Sequence, residues 1–327
     1  MQHQINTEEL PRIISIGGAV QDVYLMGKVF DPHCTDKLCV EEFALGSKND
    51  IDDIFFSTGG GATNAAVTFA RQGLHSMYLG KVGHDVAGKA VIDALHDDQV
   101  DTSLATQSEK FATGFSAIML SASGERTILT YRGASTHYEL EENDFHHTKA
   151  EWIFLTSMEG NFEIIDTVFA YANHHNIKIA MIPGKKELSN ADKLRSLLPH
   201  VTIFCANKEE MQFIYEGESC ADLAKQCAQT VPCVVVTDGP NGVTACDGQK
   251  VYSAGMYEDV PVVDRLGAGD AFSSGFVAMI AKGESVEQAI TFASANSTSV
   301  VSTIGAKTGI LRQNAEIHTM QIDVTSL

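Results

Sequence analysis

The chain has 327 residues, of which 44% are hydrophobic, so it is long enough to bury the core of one large α/β domain or two ordinary ones. Its formal net charge of −19 disfavours nucleic acids and anionic membrane surfaces as partners, because both would repel it. The polar N-terminal segment MQHQINTEELPR lacks a signal-peptide pattern, and no apolar run reaches membrane-spanning length. We therefore expect a cytoplasmic protein.

Short apolar runs that end in Gly, Asn, Asp or Ser predict strands buried on both faces. In chain order these runs are RIISIGGAV, SMYLGKVG, EWIFLTSM, IKIAMIP, VTIFCAN and CVVVTDG. Segments with apolar residues at helical spacing lie between them: GATNAAVTFARQG, AGKAVIDALHDDQ, NFEIIDTVFAYANHH, NADKLRSLLPH and ADLAKQCAQTV. The stretch from Gly267 to about Val301 is also predicted to be helical, apart from a turn near Gly283. This alternation predicts a three-layer α/β fold, with a mostly parallel sheet covered by helices on both faces.

Two segments depart from this alternation. Residues 20–46 and 111–132 alternate apolar and polar side chains, and ASGER within the second segment is a turn pattern. We interpret them as antiparallel strands with one solvated face, which form a small inserted β-sheet lid. The predicted division is therefore a large α/β domain of residues 12–20, 47–110 and 133–315, and a lid of residues 21–46 and 111–132.

Seven cysteines are present, which is an odd number, and no two of them form a C-x-x-C pair. Neither a disulfide framework nor a zinc site is expected from this pattern, so we expect reduced and mostly packed thiols. The residues are Cys34, Cys39, Cys205, Cys220, Cys227, Cys233 and Cys246.

The stretch DRLGAGDAF, residues 264–272, places two glycines and an alanine in front of a carboxylate, Asp270, and then enters an apolar segment. One interpretation is a loop with a capping residue at a helix start. The other is a phosphate site, because a glycine turn that opens a helix directs backbone N–H groups and the helix dipole towards an anion. In that case Asp270 would be a base beside the phosphate.

Polar residues near two earlier strand ends could contact hydroxyl groups. STGGGATNAA places three glycines before a predicted helix and includes Asn64, whose amide both donates and accepts hydrogen bonds. A tight strand-to-helix connection is an equally good explanation of these glycines. Asp22 follows the first predicted strand, where its carboxylate could accept hydrogen bonds from a sugar, although a single Asp is usually just solvated.

Two later segments are candidates for binding a metal ion and a nucleotide. In ANKEE, Asn207 and Glu210 are three residues apart and would share one face of a helix, where they could hold hydrated magnesium. An N-capped helix with acidic residues in its first turn is the alternative. TDGPNG, residues 237–242, is a strand end and a turn with little side-chain bulk, which could admit nucleotide phosphates.

Together and in this order, these segments resemble the ribokinase-like carbohydrate kinases of the PfkB family. The resemblance extends from about Ile13 to Gly309 and rests on Asp22, GGGATNAA, GKVGHDVAG, NKEE, TDGPNG, DRLGAGDAF and the late TIGA. It implies a ribokinase-like fold and an enzyme that uses ATP and Mg²⁺.

The resemblance also implies residue roles. Asp270 would be the general base, and Gly267, Ala268 and Gly269 would form the anion hole for the transferring phosphoryl group. The nucleotide would contact Asn207, Thr237, Gly239 and Gly242, and Asn207 and Glu210 would organise magnesium, with water between. The substrate would be held by Asp22, Gly60, Gly61 and Asn64, with Glu159 of TSMEG as a further contact.

A monovalent cation such as K⁺ often lies beside the glycine turn in this family, and Asp264 would be its ligand here. Many members have Asp-Thr-Thr or Asp-Thr-Asn at this point, whereas Arg265 and Leu266 follow Asp264 in this chain. Leu266 keeps its backbone carbonyl but has no hydroxyl to offer the ion. Activation by potassium is therefore an open point.

The leading hypothesis is an ATP-dependent kinase for a primary hydroxyl of a sugar or sugar acid. TILTYRGAS resembles the lid of kinases for keto-deoxy sugar acids, and its Arg132 could pair with a substrate carboxylate, although an arginine at a strand end is often simply exposed. An adenosine-type nucleoside kinase is the first alternative. A catalytically silent sensor is the second, and Asp270 argues against it. A homodimer that pairs two lids is also compatible with the sequence.

Overall fold

The computed structural model describes residues 10–35, 38–121, 126–145, 148–257 and 260–327. Its strands are β1 Arg12–Ile16, β2 Val20–Met26, β3 His33–Cys34, β4 Cys39–Val40, β5 Asp53–Gly59, β6 His75–Leu79, β7 Lys81–Gly83, β8 Thr106–Ser108, β9 Gly114–Leu120, β10 Arg126–Tyr131, β11 Trp152–Leu155, β12 Lys178–Met181, β13 Ile203–Asn207, β14 Cys233–Thr237, β15 Val243–Cys246, β16 Lys250–Ala254 and β17 Ile322–Ser326. The helices are α1 Gly61–Arg71, α2 Val86–Asp97, α3 Phe162–His175, α4 Lys185–Leu188, α5 Ala191–Leu197, α6 Lys208–Met211, α7 Cys220–Cys227, α8 Ala268–Ala281 and α9 Val286–Val301.

In the described part of the chain, the large sheet has the strand order β17-β16-β15-β14-β13-β12-β11-β1-β6. The six strands from β14 to β6 are parallel to their neighbours, and β15, β16 and β17 add an antiparallel edge. The predicted mostly parallel sheet is therefore confirmed. The edge strand β17 was not predicted from the sequence.

Two apolar cores cover the two faces of this sheet. Successive residues of β1 point to opposite faces, so that Ile14 belongs to the core that includes α3, α5 and α7, whereas Ile13 belongs to the core that includes α1, α8 and α9. The helical prediction for residues 267–301 is confirmed by α8 and α9, with Gly283 between them in a left-handed conformation. Within the described ranges, no helix combines the length and apolarity that crossing a membrane requires.

A second sheet of four strands, in the order β10-β9-β2-β5, is inserted into this architecture. The hairpin of β9 and β10 is antiparallel, as predicted, but β2 pairs in parallel with β9. The turn prediction for ASGER lies mostly outside the described residues. The sequence prediction places residues 47–110, which include β5, in the large domain. The structure instead pairs β5 antiparallel with β2.

The prediction that all cysteines are reduced is wrong for two of them. Cys34 and Cys39 form a disulfide, with their Cα atoms 4.0 Å apart. The short strands β3 and β4 pair antiparallel with these two residues directly opposite each other, a relation that sequence spacing does not show. The other five cysteines are free thiols.

Candidate active site

Asp270 lies in the first turn of α8, facing the start of α1. Asn64 of α1 donates a hydrogen bond from Nδ2 to Oδ2 of Asp270, at 2.8 Å. A Cβ atom added to Gly61 would lie 3.3 Å from Oδ1 of the same carboxylate, so Gly61 leaves room beside it. Burial raises the pKa of Asp270, against the opposing effects of the Asn64 hydrogen bond and the charge of Lys307. A raised pKa moves a carboxylate towards the range in which a general base works best.

The turn before Asp270 opens α8 with a glycine in the left-handed conformation. Gly267 precedes α8 in the left-handed region, with φ of 80°, and an added Cβ would lie 2.5 Å from Cβ of Ala306. Only glycine fits there without strain. Ala268 and Gly269 then begin α8, where backbone N–H groups lack partners within the helix and the dipole favours negative charge.

Two adjoining cavities open beside this turn. The first is lined by residues that include Thr237, Gly239, Gly242, Ala268 and Gly269. The second has a volume of about 480 Å³ and shares Gly239 and Ala268 with the first, while Pro240, Val260 and Val262 give it an apolar wall. Small residues near the helix start and apolar residues farther away suit a ligand with an anionic end and a flat apolar end.

Asn207 and Glu210 form a reciprocal cap at the start of α6. The Asn207 side-chain oxygen accepts from the backbone N–H of Glu210 at 2.9 Å, and Glu210 Oε2 accepts from the backbone N–H of Asn207 at 2.8 Å. Asn207 and Glu210 therefore do cap the helix, as the alternative interpretation of ANKEE predicts. Burial raises the pKa of Glu210, and the negative charges of Asp270 and Glu209 add to this effect. A nearby cation would relieve this repulsion.

Asn207 and Glu210 could supply only part of a magnesium coordination shell. Among the residues that the structure describes, no group of three or more His, Cys, Asp or Glu side chains is arranged to hold a metal ion. Magnesium, however, keeps several waters and is commonly bound through one or two carboxylates together with substrate phosphates. Glu210 is close enough to Asp270 for their charges to interact, and it is one carboxylate that could serve in this way.

Asp22 lies in β2, with only 2% of its surface exposed. Burial raises its pKa to about 6, in spite of a hydrogen bond from Ser116 and the charge of Lys307, and the negative charges of Asp264 and Asp270 raise it further. Asp22 and Asp270 therefore belong to one electrostatic cluster. The backbone requires glycine at position 60 whether or not a ligand binds there, because φ is 103° and an added Cβ would lie 2.3 Å from the carbonyl oxygen of Gly18.

Arg132 and Glu159 contact each other. Arg132 follows β10 directly, and its Nε lies 3.3 Å from Oε1 of Glu159, while Lys186 Nζ lies 3.2 Å from Oε2. Glu159 has φ of 55°, and the buried carboxylate of Glu187 accepts hydrogen bonds from the backbone N–H groups of Met158 and Gly160 on either side. Glu187 thus holds the loop that carries Glu159, a role that the sequence analysis missed.

Asp264 does not fit the role of a cation ligand. Its Oδ2 accepts a hydrogen bond from the hydroxyl of Tyr24 at 2.6 Å and one from Gly305 N at 3.3 Å, and its Oδ1 accepts from Leu266 N at 2.9 Å. Nε of Arg126, from β10, lies 4.0 Å from Oδ1. The carboxylate is therefore already hydrogen-bonded and charge-balanced by the chain itself.

Lys307 is the charged residue of this cluster that the sequence analysis missed. It is 7% exposed and donates a hydrogen bond from Nζ to Oγ1 of Thr58 at 2.9 Å. A basic residue within the late TIGA-KTGI segment, which is otherwise small and apolar, was the available signal. Nothing in its local pattern indicates which carboxylates it faces.

Both the sequence and the fold of the chain are similar to those of known proteins. The family model described as "pfkB family carbohydrate kinase" matches residues 34–313. The ribokinase of Bacillus subtilis strain 168 is 28% identical over 261 residues, which cover 78% of this chain and 85% of that protein. Two solved structures share the fold. Arabidopsis thaliana ribokinase in complex with ribose and ATP has a TM-score of 0.77 at 20% identity, covering 93% of this chain and 96% of the other. Methanocaldococcus jannaschii nucleoside kinase has a TM-score of 0.75 at 19% identity, covering 93% and 95%.

Proposed function

The chain belongs to the pfkB family of carbohydrate kinases, which are phosphotransferases with an alcohol group as acceptor, and we propose that it transfers the γ-phosphoryl group of ATP to a primary hydroxyl of a sugar or sugar acid. The observation that carries this proposal is the position of Asp270, between the Asn64 amide and the glycine turn that opens α8. In this proposal, a base and an anion site lie next to each other there.

In this proposal Asp270 accepts the proton of the acceptor hydroxyl as that oxygen attacks the phosphorus. The raised pKa of Asp270 supports the role, and the Asn64 hydrogen bond orients the carboxylate. Backbone N–H groups at Gly267, Ala268 and Gly269 stabilise the charge that develops on the phosphoryl oxygens. Phosphoryl transfer depends mainly on such positioning and charge stabilisation.

The nucleotide is assigned to the adjoining cavities. Thr237, Gly239 and Gly242 line the part next to the glycine turn, and the apolar wall of the second cavity suits a base ring. Asn207 and Glu210 would hold Mg²⁺ through water, and the ion would neutralise phosphate charge when bound. We assign no monovalent cation to the Asp264 side chain, because its oxygens already accept three hydrogen bonds.

The acceptor is assigned to the side of Asp270 that faces β2 and α1. Asp22 would accept hydrogen bonds from its hydroxyls, and Gly60, Gly61 and Asn64 would allow close approach to Asp270. Arg132, which follows β10 of the four-stranded lid sheet, and Glu159, in the loop between β11 and α3, would close this site from two sides. A charged partner already occupies Arg132, so an acidic substrate would compete with Glu159 for its guanidinium.

The same lid supports the proposed homodimer. Its strands expose large apolar side chains, among them Phe56 of β5 at 63% and Leu129 of β10 at 60%. Apolar surface of this kind is typical of a contact with another protein surface. We propose that the chain divides into a large α/β domain and a lid, and that β5, which pairs with β2, belongs to the lid.

The test is a panel of sugars, sugar acids and nucleosides, assayed for ADP formation with MgATP. For the compound that is phosphorylated, Asp270→Asn should lower turnover by roughly 10²- to 10⁴-fold while ATP still binds, because only the base is lost. Asp93→Asn is a matched control, since Asp93 lies in α2 and pairs with Lys89 at the surface.

The outcomes separate the alternatives. Turnover of a nucleoside but of no sugar would establish the nucleoside kinase instead. Ligand binding without ADP formation from any compound would indicate a sensor, and near-normal turnover by the Asp270→Asn variant would remove Asp270 from the mechanism.

A further inference from the structure

Arg265 is a cation at the nucleotide cavities that no step of the proposed reaction uses. It lies between Asp264 and the glycine turn, and it lines the second cavity, the one with the apolar wall. Ala268, in the first turn of α8, lines both cavities, so the space beside Arg265 continues to that turn. Among the described residues that line the two cavities, Arg265 is the only one with a charged side chain.

The guanidinium of Arg265 has no partner in the part of the chain that the structure describes. Other arginines each lie within 4.0 Å of a carboxylate oxygen, and these are Arg71, Arg126, Arg132, Arg195 and Arg312. A guanidinium carries several N–H donors in a planar fork that matches the oxygens of a carboxylate or a phosphate. At Arg265 this fork is left for a ligand.

The backbone that carries Arg265 is held on both sides. The N–H groups of Val263 and Asp264 donate to the carbonyl oxygen of Val301 at 2.7 and 3.1 Å, and Leu266 N donates to Oδ1 of Asp264 at 2.9 Å. Asp264 is buried, whereas the Arg265 side chain is exposed. The arginine therefore extends from a fixed turn, which lowers the ordering cost of binding a ligand there.

A polyphosphate needs a cation at this place. The protein has a formal net charge of −19, and an anionic ligand is repelled by such a surface unless local positive charge offsets it. Lys208, next to Asn207, already pairs with Asp238 of the turn of residues 237–242, with Nζ 3.9 Å from Oδ2. Arg265 has no such internal partner and keeps its charge for the ligand.

We propose that Arg265 binds the phosphate chain of the nucleotide, between the base ring and the group that is transferred. This inference rests on the proposed function, because it takes the two cavities as the nucleotide site. The guanidinium contacts phosphates that do not react, so it stabilises the bound nucleotide and the transition state alike. Such uniform binding lowers the KM of ATP and leaves kcat nearly unchanged.

The first test measures binding and needs no turnover. Calorimetry gives the affinities of ADP and adenosine for the wild type and for Arg265→Gln, each with Mg²⁺ and with EDTA. We expect the variant to bind ADP about 10-fold or more weakly under both conditions, because a hydrogen bond to a charged group is lost. Its affinity for adenosine should equal that of the wild type. Since Arg265 is exposed, the substitution should leave the fold intact.

Two further variants make the result specific. Arg265→Lys keeps the charge but not the fork, so its ADP affinity should lie between those of the wild type and Arg265→Gln. Arg312→Gln is the matched control, because it changes the net charge of the protein by the same amount at an exposed arginine that pairs with Asp98. Its ADP affinity should coincide with that of the wild type, since distant surface charges are screened by salt.

The second test is kinetic and uses the compound that the panel identifies. Arg265→Gln should raise the KM of MgATP by about 10-fold or more, with the KM of the acceptor and kcat nearly unchanged. An unchanged ADP affinity would overturn the inference and leave the kinase proposal intact. Equal weakening of ADP and adenosine would do the same, because it would place Arg265 against the base. If the wild type binds ADP but phosphorylates no compound, the kinase proposal fails and the binding data decide the inference. If the wild type binds no ADP, both fail.

Discussion

The buried carboxyl of Asp22 should make the stability of the protein depend on pH with an unusual sign. Burial raises its pKa from 3.8 to about 6, so the folded protein holds a proton that the unfolded chain has released between these values. Its stabilising contribution is complete below about pH 4 and is lost as the pH rises to about 6. The shift of about two pKa units corresponds to about 3 kcal/mol of unfolding free energy.

The perturbation is Asp22→Asn, which keeps the shape of the side chain but does not titrate. We expect the unfolding free energy of the wild type, minus that of the variant, to fall by about 2.5 kcal/mol between pH 4 and pH 7, because part of the effect is already lost at pH 4. For a chain of this length, this equals a relative shift in Tm of about 4 °C. Urea denaturation at low protein concentration is the assay of choice, because the isoelectric point of about 4.9 favours aggregation in this range.

Asp85→Asn is the control with the opposite sign. Burial acts to raise the pKa of Asp85, but hydrogen bonds from Thr113 and Gly88 outweigh it and lower the pKa. Its contribution is present at neutral pH and is lost as the pH falls through the lowered value. The wild-type advantage over Asp85→Asn should therefore grow with pH. A difference for Asp22→Asn that is flat, or that also grows with pH, would refute the account of Asp22.

Two further predictions concern the ligands. Glu210→Gln keeps an oxygen that can accept from the Asn207 N–H, so α6 should stay capped, while the Mg²⁺ concentration for half-maximal rate should rise several-fold through loss of the charge; an unchanged magnesium curve would leave Glu210 with the capping role alone. Arg132→Ala should raise the KM of a sugar acid by roughly 10-fold or more, because a charged hydrogen bond is lost, and should change the KM of a neutral sugar little. An acidic substrate with unaltered KM would remove Arg132 from the binding site.

Much of the fold follows from local pattern. Apolar runs of four to eight residues form strands in parallel sheets, and periodic segments such as residues 61–73 form helices, since hydrophobic periodicity reflects which faces are buried. Strand β5 was not recognised as part of the lid, because Ile54, Phe55 and Phe56 are consecutive and all exposed. Its sequence therefore lacks the alternation of apolar and polar residues that a strand with one buried face shows. The disulfide between Cys34 and Cys39 was not predicted, because the pairing of β3 with β4 places the two residues opposite each other and their spacing in the sequence does not show this.

The sequence by itself determined the family and predicted the region of the candidate site, since the glycine turn before Asp270 and its order among the other motifs are local features of the chain. Only the tertiary structure decided how charge is balanced there. Lys307 reaches Thr58 across a separation of 249 residues, and Tyr24 reaches Asp264 across 240. Burial and charge act through space over a few ångströms, whereas a sequence pattern records only neighbours along the chain. That is why the sequence alone did not reveal the hydrogen-bond partners of the Asp264 carboxylate.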